Sequence, residues 1–362
     1  MHTFGFVIHP LSVRDVARKY TFTRHLPDTW VEAALNLMSP LFVSHVTGVR
    51  SPTGAEAPGV LVGCPLTPSQ MTRYPVERCY QAILAAVELA AQNGDEIVGL
   101  GAHTAVVGDK GITIAERAEV PVTTGNSYTV YTAIEGALHA AQVMDIEPGA
   151  ATATVLGATG SIGRVCALLL APQVGRLVLC ARDRNRLNAL RDEVRDQHGT
   201  EPEVSTSVSE SLREADLVVA VTSAIEAIVS PGDIKPGAVV CDVARPRAVS
   251  REVMDARDDV LVIEGGAVQV PGEPDFGFDF GFPPGLAYAC MGETILLALE
   301  GRTEDYSLGP TLRLEQVQET GRWAAKHGFR LAKLRSFEQA VTDESIERIK
   351  ARARAGTALP GG

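Results

Sequence analysis

The chain has 362 residues, longer than one hydrophobic core usually serves, so two domains or one large one are expected. Its make-up, 45% hydrophobic with 34 glycines and 21 prolines, is that of a globular α/β protein and excludes a disordered or fibrous chain. The net charge of −11 excludes general affinity for nucleic acid, because neutralising phosphates needs a basic surface. The start, MHTFGFVIHPL, lacks the basic segment of a secretory signal, and no apolar run approaches the roughly 20 residues of a membrane span, so a cytoplasmic protein without a transmembrane segment is expected. The six cysteines show neither a CxxC pair nor a zinc-finger spacing, so neither a disulfide framework nor a metal site is expected.

The elements expected in chain order begin with an N-terminal α/β domain, residues 1–148. FGFVIHP and LFVSHVTGV have strand character, VERCYQAILAAVELAAQNG is a helix ending at an Asn-Gly cap, and EIVGLGA is a buried strand. His9 and His103 fall at strand C-termini, where open α/β sheets place their ligands. In TTGNSYTVY, Asn126 or Ser127 is placed to cap the next helix, which also makes the turn a candidate anion site. Pro and Gly in DIEPGAA interrupt the pattern near residue 148.

Residues 149–284 alternate strand-like runs, ATATVLG, RLVLCAR, ADLVVAV, GAVVCDV and DVLVIEG, with helical stretches, as in a Rossmann-type doubly wound parallel sheet. The first strand runs into GATGSIG, so Gly157, Thr159, Gly160, Ser161, Ile162 and Gly163 form the expected dinucleotide cradle. Glycine lets the backbone approach a pyrophosphate, and the following helix presents free amides to it. Where an NAD enzyme carries an acidic residue after the second strand, this chain has Arg182 and Arg184 around Asp183. A guanidinium there suits a 2′-phosphate, so NADPH is the expected cofactor.

C-terminal helices follow over 285–335, opening with PPGLAYACMGETILLALEG. Cys290 stands one turn into this helix, and the window supports two readings: a small buried hydrophobe, or a thiol whose ionisation the helix N-terminus favours. Glu293, three residues on, opposes that ionisation if it is itself charged. Residues 336–362 form an extension ending in a tail, TALPGG, expected to be disordered. From Arg322 to Arg354 there are nine Lys or Arg against four Asp or Glu, a local balance of +5, which leaves −16 elsewhere. Such a run is a solvated helical face or a dock for an acidic partner.

With these motifs in view, the sequence resembles the cyanobacterial long-chain acyl-acyl-carrier-protein reductases, from FGFVIH near the start to KHGF at 326–329. GLGAHT at 99–104, TTGNSYTVY, GATGSIG with ARDRNRL, EADLVVAV, EGGAV and ACMGETILLALEG carry the resemblance. It implies NADPH-dependent reduction of a fatty acyl thioester, on acyl carrier protein or CoA, to fatty aldehyde through an acyl-cysteine. Cys290 falls on the family's nucleophile, and His9 matches a histidine that joins it as a catalytic candidate. The carrier is expected to meet the basic residues Arg322, Lys326, Arg330, Lys333 and Arg335. Two other classes stay open. A shikimate-like or methylenetetrahydrofolate-like dehydrogenase would lean on an N-terminal lysine, for which residues 1–150 offer Lys19 and Lys110. A non-catalytic NADPH-binding protein would bind cofactor without consuming it.

Overall fold

The computed structural model describes residues 1–222, 229–243, 247–279, 281–337 and 339–357; the tail expected to be disordered lies mostly outside them, from 358 onward. Contacts divide the chain into two units, each discontinuous in sequence: 1–129 with 267–330, and 130–266 with 331–362.

The strands used below are β1 (Phe4–Ile8), β2 (Leu41–Val49), β3 (Gly59–Gly63), β4 (Ile97–Leu100), β5 (Val122–Thr123), β6 (Thr152–Leu156), β7 (Arg176–Cys180), β8 (Glu203–Ser205), β9 (Leu217–Ala220), β10 (Val239–Asp242), β11 (Leu261–Glu264), β12 (Ala267–Gln269), β13 (Gly272–Asp275) and β14 (Leu286–Tyr288). The helices are α1 (Val76–Gln92), α2 (Asn126–Val143), α3 (Ser161–Leu170), α4 (Arg184–His198), α5 (Ala289–Glu300), α6 (Leu314–His327) and α7 (Asp343–Thr357).

In the first unit a six-stranded sheet runs β13-β2-β3-β1-β4-β5. Its centre is parallel, with β1 between β3 and β4 and β5 beyond β4, while β2 and β13 pair antiparallel at one edge. Helix α1 covers one face because Cys79, Ile83, Ala86, Val87 and Ala90 recur at helical spacing and meet Val7, Val62, Val98 and Leu100. It ends where expected, at Asn93 and the positive-φ Gly94. Helix α5 packs on β4 and β1, and Gly99 of β4 leaves room for Thr294 of that helix.

The second unit is a six-stranded parallel sheet in the order β11-β10-β9-β6-β7-β8. Numbered from its first strand this is 3-2-1-4-5-6, the doubly wound order with its reversal beside β6. Strands covered by helices on both faces are buried throughout, which is why they read as unbroken apolar runs. Helix α7 docks on this unit through buried Ile346 and Ala353, with Lys350 and Arg354 both reaching Asp145 at 3.0 and 3.2 Å and Arg352 reaching Asp258 at 3.1 Å. Three of its four cations are therefore paired within the chain, and Arg348 is exposed.

Candidate active site

Three loops meet at the carboxyl end of the first unit's sheet, after the adjacent strands β1, β4 and β5, and Cys290 belongs to this group. Gly125, after β5, has φ +73° and lies so close to Cys290 that a methyl group there would stand 2.3 Å from its Cα and Cβ. The backbone of Ala102, after β4, and that of Met291, in the first turn of α5, both act on the Cys290 thiol to favour its ionised form. Ala102 is exposed and holds φ +47°, a strained conformation for a residue with a side chain. Cys290 is half-buried, whereas the other five cysteines are buried.

Burial pushes the Cys290 thiol up to about 11, and Glu293 adds to the rise, while the two amides pull the other way. The helix terminus thus acts in the direction its sequence position suggests, but removal from water outweighs it. At neutral pH the resting group is a thiol.

Glu293 has no exposed surface. Its Oε1 accepts from the Thr123 hydroxyl at 2.5 Å and its Oε2 from the Tyr128 amide at 2.8 Å. Burial raises its carboxyl above the usual range, against these bonds and others from Ser307 and Ser127. Ser307, at φ +54°, accepts from the Thr124 hydroxyl through its carbonyl and bonds the Ser127 hydroxyl at 2.6 Å. Asn126 donates from Nδ2 to Thr124 Oγ1 at 2.8 Å. This second strained residue therefore braces the same loop.

His9 follows β1. Its Nε2 accepts the His103 amide at 3.0 Å, so its proton is on Nδ1, which faces the Pro10 carbonyl at 3.0 Å. Burial, its main influence, lowers its pKa to about 4, so the ring is neutral. With both nitrogens engaged, His9 anchors the loop that carries Ala102.

In the second unit β6 runs into Gly157, at φ +82°, where an added methyl group would meet the Thr222 backbone at 2.9 Å beside the end of β9. The glycine loop thus stands at the point where strand order reverses. Gly160 is the N-cap of α3 and has no side chain to offer its first amides, and Ser161, Ile162 and Gly163 form its first turn, with Gly163 tight under the Gly157 carbonyl. A pyrophosphate fits this cradle. After β7, Asp183 is occupied as the N-cap of α4, accepting the amides of Asn185 and Arg186 at 2.9 and 3.1 Å. Arg182 and Arg184 are exposed. Arg186, which the sequence reading passed over, donates to the Thr159 carbonyl at 2.6 Å and ties the glycine loop to α4. A cation one turn into a helix whose first residues carry arginines was the available signal.

The basic run is thinner as a surface than as a count. Lys326 is exposed but bonds Glu300 at 2.8 Å, and Arg335 is only 8% exposed, whereas Arg322, Arg330 and Lys333 are exposed. Among the described residues no group of three or more His, Cys, Asp or Glu could hold a metal, and no helix is long and apolar enough to cross a membrane.

The profile of the shikimate/quinate 5-dehydrogenase family matches residues 139–264, the dinucleotide-binding part. The chain is similar to aminotransferase PigE of a Serratia species, 31% identical over 96% of this chain and 42% of that protein. It is also similar to the long-chain acyl-[acyl-carrier-protein] reductase of Synechococcus elongatus, 28% identical over 90% of this chain and 98% of that one. The chain therefore spans less than half of the first relative and nearly all of the second. Among solved structures, quinate dehydrogenase from Corynebacterium glutamicum in complex with NAD covers 89% of this chain and 98% of its own at 12% identity, with a TM-score of 0.36. The chain has the fold of an NAD(P)-dependent oxidoreductase, and its second unit is an NAD(P)H-binding domain.

Two outcomes follow from the electrostatics. Alkylation of Cys290 by iodoacetamide, read by mass spectrometry, should rise roughly tenfold per pH unit from pH 7 to 9, as for a thiol far below its pKa; a rate already level at pH 8 would contradict a thiol near 11. For Glu293, a carboxyl raised in the folded state favours folding at low pH and loses that contribution as pH climbs past the ordinary carboxylate range. Glu293→Gln, which cannot ionise, should therefore gain in Tm relative to the parent between pH 4 and pH 9. Glu293→Ala, which strands buried donors, should cost about 1–3 kcal/mol throughout.

Proposed function

We propose that the protein is an NADPH-dependent reductase of fatty acyl thioesters, carried by CoA or acyl carrier protein, that passes the acyl group through Cys290 to release a fatty aldehyde. The observation that carries this reading is the half-buried Cys290 held against Gly125 at the carboxyl end of a parallel sheet, where the Ala102 and Met291 backbone favours its ionised form. The activity for which the Synechococcus relative is named, a protein this chain matches along nearly its whole length, supports it.

In the first step the Cys290 sulfur bonds to the thioester carbonyl carbon, the carbon–sulfur bond to the carrier breaks, and the Cys290 proton leaves with the carrier as its free thiol. The Ala102 and Met291 amides, whose backbone favours negative charge at the Cys290 sulfur, are assigned the role of oxyanion donors, with Asn126 as a further candidate. Bound NADPH supplies the hydride that reduces the acyl-cysteine. Breaking the carbon–sulfur bond then frees the aldehyde, and one proton restores the thiol. His9 is a positioning residue in this scheme, because it holds the loop that carries the Ala102 amide.

A dehydrogenase acting on a polar substrate is less well supported, although the family match points toward it. That match begins only at residue 139, Lys19 spends its ammonium on the carbonyls of Phe42 and Val43, and Lys110 stands in a positive-φ turn.

Incubation with dodecanoyl-CoA without cofactor should add one dodecanoyl mass to the peptide holding Cys290, and addition of NADPH should then yield dodecanal. Adduct or aldehyde persisting in Cys290→Ala sinks the mechanism; NADPH bound but never consumed sinks the enzyme. For cofactor choice, Arg182→Ala should weaken NADPH binding about 10-fold to 150-fold, from the loss of about 1.5–3 kcal/mol in a charge-assisted contact, with NADH little changed. Equal loss for both cofactors would place this arginine away from the 2′-phosphate.

A further inference from the structure

The short helix Asp28–Leu35 of the first unit carries two apolar faces. Val31 and Leu35, one turn apart, are buried and seat it. Trp30, Ala33, Ala34 and Leu37 recur at the i, i+3, i+4, i+7 spacing of a single helical face and are all exposed, Trp30 at 67% and Leu37 at 89%. Asn36 keeps helical backbone and the Leu37 amide bonds the Ala34 carbonyl at 3.0 Å, so this outer face runs on past the last turn. Just before the helix, Phe22 stands 64% and Leu26 36% exposed. Apart from Met1, the three most exposed large hydrophobic side chains among the described residues, Leu37, Trp30 and Phe22, thus lie within this one stretch. The helix is already seated through Val31 and Leu35, so its outer stripe adds nothing to folding and marks a contact with something else. We propose that this stripe docks the first unit on the surface of an anionic phospholipid bilayer, an inference that goes beyond the reductase reading and does not rest on it.

Charge selects the occupant. Residues 11–37 carry four Lys or Arg against three Asp or Glu, a balance of +1 that leaves −12 on the rest of the chain. Each of the three carboxylates is met by an arginine: Asp15 by Arg18 at 3.4 Å, Asp28 by Arg14 at 3.7 Å, and Glu32 by Arg73. Arg24 is exposed and meets no carboxylate among the described residues, and Lys19, also exposed, bonds only the carbonyls of Phe42 and Val43. Exposed aromatic and leucine side chains beside unneutralised cations are the pattern of a segment that lies in the headgroup region, where apolar groups enter the acyl boundary and cations meet phosphates.

Area points the same way. A fully covered aromatic side chain buries about 150–250 Å², so Phe22 and Trp30 at their observed exposure offer on the order of 100–170 Å² each. With the leucines the stripe amounts to a few hundred Å², below the roughly 800 Å² per partner of a stable protein interface. The helix is also held in place for such a role, because its polar flank is tied down: Gln70 Nε2 donates to Asn36 Oδ1 at 3.1 Å, and the Tyr74 hydroxyl donates to the same oxygen at 2.6 Å.

The test uses the full-length protein and vesicles of phosphatidylcholine alone or of phosphatidylcholine with one quarter phosphatidylglycerol. Binding is read by flotation and by tryptophan emission, which reports Trp30 because Trp323, the other of the two tryptophans, is buried at 8% exposure. The parent protein should float with the anionic vesicles, with a blue-shifted emission that brominated phosphatidylcholine quenches. Trp30→Ala and Leu37→Ala should each bind about tenfold more weakly or worse, from the loss of apolar area. Arg24→Ala should bind the anionic vesicles about fivefold more weakly. Ile112→Ala, at an exposed position outside the stripe, and Cys290→Ala should bind as the parent does. No flotation of the parent, or unchanged binding in both Trp30→Ala and Leu37→Ala, overturns the assignment. A parent that doubles in mass by sedimentation velocity and returns to a single chain in Trp30→Ala also overturns it, by giving the face to a second copy. NADPH consumption is not read here, so failure of the dock leaves the reductase standing, and an inactive protein that still floats with the vesicles keeps the dock.

Discussion

A carboxyl group sealed from water must be met by donors, and meeting Glu293 organises the whole neighbourhood of Cys290. The donors come from one loop, the Thr123 hydroxyl and the Tyr128 amide, so the carboxyl on the second turn of α5 fastens that loop to the helix. Two further features depend on the fastening: Gly125 is held against the Cys290 backbone, where no side chain fits, and Ser307 is kept at a positive φ by Thr124 and Ser127. Strain of this kind, on the order of 1–3 kcal/mol per residue, persists only where the surroundings over-determine it. Here they do.

The burial that makes Glu293 a fastener also governs the thiol. A helix N-terminus favours an anion by about 0.3–1 kcal/mol, reaching about 2 in good geometry, whereas taking a charge out of water costs several kcal/mol even after relaxation. The balance explains why Cys290 sits near 11 although two amides face it. A thiol so held resists chance alkylation and oxidation, since the thiolate is the reactive form. In the reading proposed above, its activation would belong to the step in which substrate arrives, and the same surroundings would shield an acyl-cysteine from hydrolysis.

Much of this architecture was legible in the sequence where side chains repeat. The strands of the second unit are buried on both faces and so read as apolar runs, and once the glycine loop identifies the first of them, the doubly wound order follows from short right-handed crossovers. β3 escaped notice because three buried aliphatic residues between two buried glycines show no period. The return of 267–330 to the first unit was equally hidden, because packing of α5 on β4 and β1 brings together residues about 190 to 300 positions apart. At the site, Cys290 was visible as a side chain, but the Ala102 contribution is a backbone amide, which leaves no mark on residue type. Asp183 shows the reverse case: as a letter it competes with the flanking arginines for the ribose, yet its oxygen is committed to the first amides of α4.

The basic C-terminal run shows why a charge count must be converted into free charge before it says anything about partners. Of its nine cations, Lys326, Lys350, Arg352 and Arg354 have carboxylates of their own chain within 3.2 Å, and Arg335 is buried. Exposed ion pairs are worth only about 0–1 kcal/mol, so these are weak internal commitments that an acidic partner could exchange at small cost. Lys326 is the exception, because its carboxylate, Glu300, is also bonded at 2.6 Å by His327, which in turn holds Ser51 at 2.8 Å. Removing Lys326 from Glu300 disturbs a buried chain of hydrogen bonds joining α5, α6 and the end of β2, whereas Arg322 and Arg330 are exposed and carry no such cost. An acidic partner at the first unit would therefore meet those two arginines first, whereas the α7 pairs of the second unit yield only to a partner that outcompetes Asp145 and Asp258.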